Sequence, residues 1–176
     1  MTPAESRPRP RKVKPAAPDR PHWLSQPEMA AWLPLVRLLS VLPNALDTQL
    51  RNEAGISHVY YQILAILSAA PARQLRMSEL ARASGTSTSR LSHAVTSLES
   101  RGWVRRTPSA DDRRGQLAEL TPAGQQTLTE AAPGHLAQVR RLVFDHLTGP
   151  QVDQLQHLTS TLLAGLTGSP GQRPQS

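Results

Sequence analysis

The chain has 176 residues, enough for one domain with tails and a substantial core. Its formal net charge of +7 favours an acidic partner, either nucleic acid or an anionic membrane surface. There is no cysteine, which excludes disulfides and thiol-based redox sensing.

Several other classes find little support in the sequence. No apolar run approaches the roughly 20 residues of a membrane-spanning helix, and no secretory signal is present, so we expect a cytoplasmic protein without a membrane partner. The histidines show no pair at i, i+3 or i, i+4, so we expect no metal or other cofactor, although separated residues could still assemble a site. The chain has no Gly-rich phosphate loop, nucleophile elbow or paired carboxylates, so we do not expect an enzyme.

Composition divides the chain into three parts. Residues 1–24 are rich in proline and basic side chains and predict a disordered tail, whose charges could contact phosphates without specificity. Residues 25–167 form the predicted domain, and the Gly/Pro/Gln-rich residues 168–176 predict a second disordered tail.

The domain begins with two predicted helices. Ser25 and Glu28 form a capping box for a helix over about residues 26–54, which Pro34 and Pro43 should kink or break. Ser57 then caps a helix whose wide apolar stripe predicts a central, buried position.

Residues 77–100 predict two short helices joined by a turn. Ser78 is a plausible N-cap for the first, and Ser84-Gly85 ends it, because glycine accepts the left-handed conformation found at helix ends. The hydroxyl cluster at residues 86–89 offers caps for the second helix.

The second of these helices has an apolar stripe and a polar face. Leu91, Ala94, Val95 and Leu98 have the spacing of a core-facing stripe. The opposite face carries no acid and can donate and accept hydrogen bonds, as a helix in a DNA major groove must. The same residue types also suit an ordinary solvated face. The candidate DNA-binding residues of this helix and its start are Ser87, Thr88, Ser89, Arg90, His93, Thr96 and Ser97.

A basic hairpin is predicted directly after this helix. Residues 103–106 and 117–121 are β-compatible runs around a turn-rich segment, with Arg113 and Arg114 at its tip. Such a hairpin can follow the DNA backbone and place an arginine in the minor groove. Neighbouring hairpin residues point to opposite sides, so the two arginines should have different roles.

Two more helices are predicted after the hairpin. Thr121-Pro122 is a helix start, and this helix should continue through Leu147 with a bend at Pro133-Gly134. The capping box over residues 148–151 starts the last helix, whose leucine stripe needs a partner.

The segment from Asp112 to Thr121 resembles the wing signature of the MarR (multiple antibiotic resistance regulator) family: Asp, any residue, Arg, three residues, Val, any residue, Leu, Thr. Four positions match, Asp112, Arg114, Leu120 and Thr121, whereas Ala118 stands where the signature has Val. Residues 77–81 and 98–104 are also similar to that family. The resemblance covers about residues 28–166.

The resemblance implies a mainly α winged helix-turn-helix protein with a two-stranded β wing over about residues 57–121. Its terminal helices, about 26–54 and 122–166, would pair as a homodimer. Two recognition helices would then read a pseudo-palindromic operator on double-stranded DNA. Asp112 would orient Arg114 for the minor groove, and Arg113 would lie along the phosphates.

The resemblance also implies a repressor relieved by a small aromatic or anionic effector. This ligand would bind between the dimer helices and the DNA-binding lobe, with His58, Tyr60 and Tyr61 as candidate lining. The sequence therefore predicts a ligand-responsive, DNA-binding transcriptional repressor. A winged-helix module that binds proteins without reading DNA is the alternative.

Overall fold

The computed structural model describes residues 23–108 and 115–168. The predicted tails up to residue 22 and from residue 169 lie outside the described residues, as do Asp112, Arg113 and Arg114. The described helices are α1 (Gln26–Ala54), α2 (His58–Ala69), α3 (Met77–Ala83), α4 (Thr88–Ser100), α5 (Pro122–Leu142) and α6 (Gly149–Thr167). The strands are β1 (Gln74–Arg76), β2 (Val104–Pro108) and β3 (Gln116–Leu120).

Helix α1 is continuous. Its start is the predicted capping box, because the Ser25 N–H and hydroxyl donate to the Glu28 carboxylate at 2.6 Å each. We expected Pro34 and Pro43 to kink or break the helix, and the break is wrong, since α1 runs through both. A proline removes one intrahelical hydrogen bond, and the remaining turns keep the helix intact. The chain divides into two compact units, and the boundary between Val36 and Arg37 falls within this helix.

By length and composition alone, α1 is apolar enough to cross a membrane, with a mean hydropathy of 1.4 over its most apolar window. This corrects the expectation that no apolar stretch is long enough. The expectation rested on an uninterrupted run, whereas the scattered polar residues of α1 lower its mean hydropathy only slightly. The feature is weak evidence for a membrane, because apolar helices of soluble proteins share it.

Helix α2 lies at the centre of the core, as its wide apolar stripe predicted. Ser57 caps it, accepting the Tyr60 N–H at 3.2 Å. Its apolar side chains and those of neighbouring helices form one core. The fully buried aliphatic members of this core include Leu50, Ile63, Leu64, Leu67, Leu80, Leu91, Val95 and Leu98.

The two short helices α3 and α4 form as predicted, with one correction. Helix α3 is capped at Arg76, two residues before the predicted cap Ser78, because the Arg76 N–H donates to the Glu79 carboxylate at 3.2 Å. The turn forms at Ser84 and Gly85 as predicted, with Gly85 at φ +63°. Ser87 caps α4.

The wing is part of a three-stranded antiparallel sheet in the order β1-β3-β2. Strands β2 and β3 confirm the predicted hairpin, with Val104 opposite Leu120. Strand β1 was not predicted, because three residues are too few to show an alternating pattern. It pairs with β3 and places Leu75 opposite the fully buried Ala118.

Helices α5 and α6 close the described chain. Thr121 caps α5 as predicted, accepting the Gly124 N–H at 3.1 Å. The helix continues through Pro133 but ends at Leu142, not at the predicted Leu147, because a 3₁₀ turn over Phe144–His146 replaces its last turn. The predicted capping box at Thr148 starts α6, with its N–H donating to Gln151 at 2.8 Å.

Candidate nucleic-acid interface

Helix α4 exposes the face that the sequence assigned to DNA. Its opposite stripe of Leu91, Val95 and Leu98 is completely buried and anchors the helix on the core. Of the predicted DNA-facing residues, Ser87, Thr88, Ser89, Arg90, His93 and Thr96 are exposed and Ser97 is half-buried. No acidic side chain lies between Thr88 and Leu98, so nothing on this face would repel phosphate.

The predicted contact residues differ in how free their polar atoms are. Ser87 already accepts the Arg90 N–H at 3.4 Å, and the Ser97 hydroxyl donates to the His93 carbonyl at 3.2 Å. Within the described residues, the side chains of Ser89, Arg90 and His93 make no hydrogen bond. These three are therefore the side chains best placed to bind base edges.

Thr96 has a structural partner that the sequence did not reveal. Its hydroxyl donates to the Ser92 carbonyl at 3.0 Å and accepts a hydrogen bond from Arg106 Nη2 at 2.9 Å. Arg106 comes from β2, so Thr96 contacts the wing rather than standing free on the polar face. Helical spacing alone could not separate these two roles, because it does not locate the wing.

The described part of the wing carries one outward arginine. Arg105 Nη2 donates to both carboxylate oxygens of Glu119 at 2.8 Å across the two strands. This pair is solvent-exposed on the arginine side and contributes at most about 1 kcal/mol to stability. The predicted tip residues Arg113 and Arg114 and the orienting Asp112 lie beyond the described strands.

Arg101, which sequence reasoning missed, lies where α4 ends. Its guanidinium carbon is 5.0 Å from the Trp103 ring centroid and 5.7 Å from the Tyr60 ring centroid. A guanidinium is attracted to an aromatic face. The Arg-Gly-Trp sequence at residues 101–103 was a possible signal, because Gly102 at φ +72° turns the chain back beside Arg101. Tyr60 therefore faces this end of α4.

A cavity of about 280 Å³ lies between α2, α3 and α5. It brings together two of the three predicted effector-lining residues, His58 and Tyr61, while Tyr60 lines a different groove. The cavity also contains His135 of α5, which the sequence did not single out. The His135 ring lies 4.2 Å from the Tyr61 ring and 5.7 Å from the His58 ring, centroid to centroid.

Burial changes the acid–base properties of this cavity. Burial lowers the pKa of His58, and the nearby Asp47 carboxylate opposes that effect only in part. Burial also lowers the pKa of His135, and the neighbouring His58 lowers it further. Burial raises the pKa of Tyr61. Both imidazoles are therefore neutral near pH 7, and His135 Nδ1 has no hydrogen-bond partner among the described residues.

These lowered histidine pKa values predict a loss of stability in mild acid. The unfolded chain takes up protons near its ordinary histidine pKa of about 6.5, before the folded chain does. The free energy of unfolding should therefore be highest above pH 7 and fall as pH drops from about 6.5 towards the lower folded pKa. Urea unfolding at pH 7.5 and 5.5 would measure this difference.

The variant His135→Gln tests this expectation. It removes a group whose pKa is lowered by burial and should flatten the pH dependence. If the free energy of unfolding depends on pH equally in the wild type and in His135→Gln, the loss of stability in acid does not come from His135.

A larger groove of about 750 Å³ lies between the middle of α1, the end of α5 and α6. It is lined by apolar side chains, chiefly Leu38, Leu42, Leu142, Val143, Phe144, Leu147, Val152 and Leu155. Helix α6 has no buried residue, and its leucines at positions 158, 162, 163 and 166 are exposed. Within the described residues this apolar surface is not covered.

No group of three potential metal ligands occurs in the described part of the chain. The half-buried His58 and the buried His135 come together with the ring of Tyr61, and the nearby Asp47 carboxylate already accepts the His58 backbone N–H and pairs with Arg51. Their immediate surroundings therefore suit an organic molecule with an aromatic or hydrogen-bonding surface better than a metal ion.

Known proteins are similar to this chain in sequence and fold. A family model described as MarR family matches residues 54–115. The crystal structure of Sco3205, a MarR family transcriptional regulator from Streptomyces coelicolor in complex with DNA, is similar at 43% identity and a TM-score of 0.80. The match covers 85% of this chain and 97% of that one.

Two further proteins are similar to this chain. AbsC, a MarR family transcriptional regulator from Streptomyces coelicolor, is 35% identical with a TM-score of 0.77, and the match covers 84% of this chain and 99% of that one. The transcriptional repressor MprA of Escherichia coli (strain K12) is 31% identical over 112 residues, which are 64% of this chain. The match spans only 63% of the length of MprA.

Proposed function

Since the chain belongs to the MarR family of transcriptional regulators, we propose that it is a dimeric, ligand-responsive repressor that binds double-stranded DNA by sequence. The observation that carries this proposal is the exposed, acid-free face of α4 beside a basic wing. A helix anchored by a buried stripe can enter the major groove while the adjacent hairpin follows the backbone. Sco3205, the similar protein from Streptomyces coelicolor, was crystallised with DNA.

We assign base reading to Ser89, Arg90 and His93, whose polar atoms are free on this face. Ser87, Thr88 and Ser97 would contact the backbone or bases at the edges of the same surface. In the wing, Arg114 would enter the minor groove, held by Asp112, while Arg113 would lie along the phosphates.

The partner in solution would be a second copy of the chain. The exposed apolar surface of α6 and of the middle of α1 is too extensive to leave in water, and a two-fold axis lets each copy cover the other. This assignment also gives the apolar face of α1 a protein partner rather than a membrane. Two copies would present two α4 helices to a pseudo-palindromic operator.

The effector would bind in the cavity lined by His58 and Tyr61. A planar aromatic or anionic molecule fits the neutral imidazoles, the tyrosine hydroxyl and the unpartnered His135 Nδ1. Because the cavity lies between α2, α3 and α5, a bound molecule would change how the DNA-binding helices pack. The protein would act in the cytoplasm without a cofactor or catalytic activity.

The alternative, a winged-helix module that binds proteins, receives less support. Such a module would be expected to present an apolar or acidic recognition face, whereas the exposed side chains of α4 include Ser89, Arg90 and His93. The apolar surface lies on α1 and α6 instead.

The substitution Arg90→Ala tests the proposed function. The wild-type protein would first select duplexes from a random pool, and binding to a selected and a scrambled duplex would then be compared. If Arg90 binds a base edge, the variant should lose about 1–3 kcal/mol on the selected duplex and relax its preference at one position per half-site. Fluorescence anisotropy at fixed salt would measure both affinities.

Arg140→Ala is the matched control, because it removes the same charge from an exposed position on α5. It should leave the preference for the selected duplex unchanged. An Arg90→Ala variant that loses affinity equally on every duplex would make Arg90 a phosphate contact. A wild-type protein that selects no sequence at all would overturn the proposed function.

A further inference from the structure

The two adjacent arginines of β2 have opposite orientations. Arg105 points outward and pairs with Glu119, with about two-thirds of its side chain exposed. Arg106 points inward onto α4, with about a fifth of its side chain exposed. This alternation follows from the pleat of a strand. The same charge therefore occupies two different environments at neighbouring positions.

The polar atoms of Arg106 contact α4, the proposed recognition helix. Nη2 donates to the Ser92 carbonyl at 2.7 Å and to the Thr96 hydroxyl at 2.9 Å. Nη1 lies 3.3 Å from Glu99 Oε2, while the backbone N–H of Arg106 donates to Glu99 Oε1 at 3.0 Å. Arg106 Nε is buried and has no partner in the described residues. The guanidinium is thus directed at protein and not at solvent.

The three residues that Arg106 contacts form one stripe of α4. Ser92, Thr96 and Glu99 are spaced i, i+4 and i+7, so they follow each other along one side of the helix. A planar guanidinium that bonds at several points along this stripe restricts rotation of α4 about its axis. It also restricts sliding of the helix past β2.

We propose that Arg106 is a positioning residue that fixes the recognition helix relative to the wing. The proposal rests on the proposed function, in which α4 and the wing tip bind different grooves of the same operator. Both can contact their grooves together only if the distance and rotation between them are set before binding. Arg106 sets them from within the protein, without contacting DNA.

Lysine could not replace Arg106 in this role. An ammonium is a compact charge and cannot bond a helix carbonyl, a hydroxyl and a carboxylate in one fixed plane. Thr96 serves the same contact, since its hydroxyl accepts from Arg106 while donating to Ser92. Loss of either side chain should therefore loosen the same contact.

The test compares Arg106→Gln with the matched control Arg105→Gln, which removes the same charge from the outward position of the same strand. Affinities for a duplex selected by the wild type and for a scrambled duplex would be measured over a range of salt concentrations. Arg106→Gln should lower the ratio of selected to scrambled affinity by about tenfold. Arg105→Gln should preserve that ratio.

The salt dependence separates positioning from direct contact. A lost phosphate contact lowers the slope of log affinity against log salt by about one on the scrambled duplex. For Arg106→Gln this slope should stay at the wild-type value. A slope lowered by one, or an unchanged affinity ratio, would overturn the proposal.

Two further measurements keep the proposal testable if Arg106→Gln folds poorly. Thr96→Val removes only the hydroxyl and should lower the affinity ratio in the same direction. In a double-mutant cycle, the pair of substitutions should cost less than the sum of the two. Additive losses would contradict a shared contact.

A wild-type protein without sequence preference would refute the proposed function separately. Amide hydrogen exchange then still tests the positioning. Arg106→Gln should speed exchange in both α4 and β2, and Arg105→Gln should not. Unchanged exchange in Arg106→Gln would overturn the positioning role.

Discussion

Replacing Leu162 by Glu should convert the proposed dimer into monomers and weaken binding to a two-half-site operator by at least about 100-fold. Leu162 lies seven residues after Leu155, which lines the apolar groove, so both are on the same face of α6. Two-fold symmetry places the change in the interface twice. At about 1.5 kcal/mol or more for each buried leucine, the loss is at least about 3 kcal/mol.

The single chain should tolerate this change. Leu162 is 54% exposed in it, so the new carboxylate stays in water and the fold loses little. The charge becomes costly only when a second copy covers it. Light scattering at micromolar concentration would measure the oligomeric state, and anisotropy would measure operator affinity.

Ser160→Glu is the matched control for this prediction. It introduces the same charge on the same exposed helix, about 160° around the axis from Leu162. This variant should remain a dimer with wild-type affinity. If Leu162→Glu also remains a dimer, α6 is not the interface and its leucine stripe needs another explanation.

Local patterns predicted most of the fold. The stripe of Leu91, Val95 and Leu98 gave α4 its orientation, because burial of that stripe determines which face is exposed. The caps at Ser57 and Thr121 located helix starts to within a residue. These signals need only neighbours in sequence, so the fold follows from them closely.

Contacts between distant residues could not be read in the same way. His58 and His135 are 77 residues apart, and only the packing of α5 against α2 brings their rings together. The Arg106 contact with Thr96 likewise depends on how β2 crosses α4. The predicted polar face therefore included a residue that binds the wing.

The break expected at the prolines of α1 was wrong for another reason. The hydrogen bond lost at each proline is one of many in a helix of 29 residues, and the others hold the helix together.

The junction between the wing and α5 depends on a glycine that nothing in the sequence marked. A Cβ on Gly124 would clash with the Trp103 carbonyl oxygen and would lie 2.8 Å from Leu120 Cδ1. The Trp103 carbonyl cannot easily move away, because it accepts the Thr121 N–H at 3.1 Å. The Thr121 hydroxyl further ties the junction together by donating to the Gly102 carbonyl at 2.6 Å.

Gly124→Ala should therefore destabilise the protein by about 3 kcal/mol or more, because the added methyl group must push apart a hydrogen-bonded turn. Gly149→Ala is the matched control, as it lies in the first turn of α6 with no atom within 4 Å of the added carbon. The control should be neutral or stabilising by up to about 1 kcal/mol, because alanine favours the helix over glycine. Urea unfolding would compare both variants with the wild type.

A Gly124→Ala variant as stable as the Gly149→Ala control would mean that β3 and α5 separate easily. The wing would then not be held rigidly against the rest of the chain, and its position relative to α4 would rest on Arg106 alone.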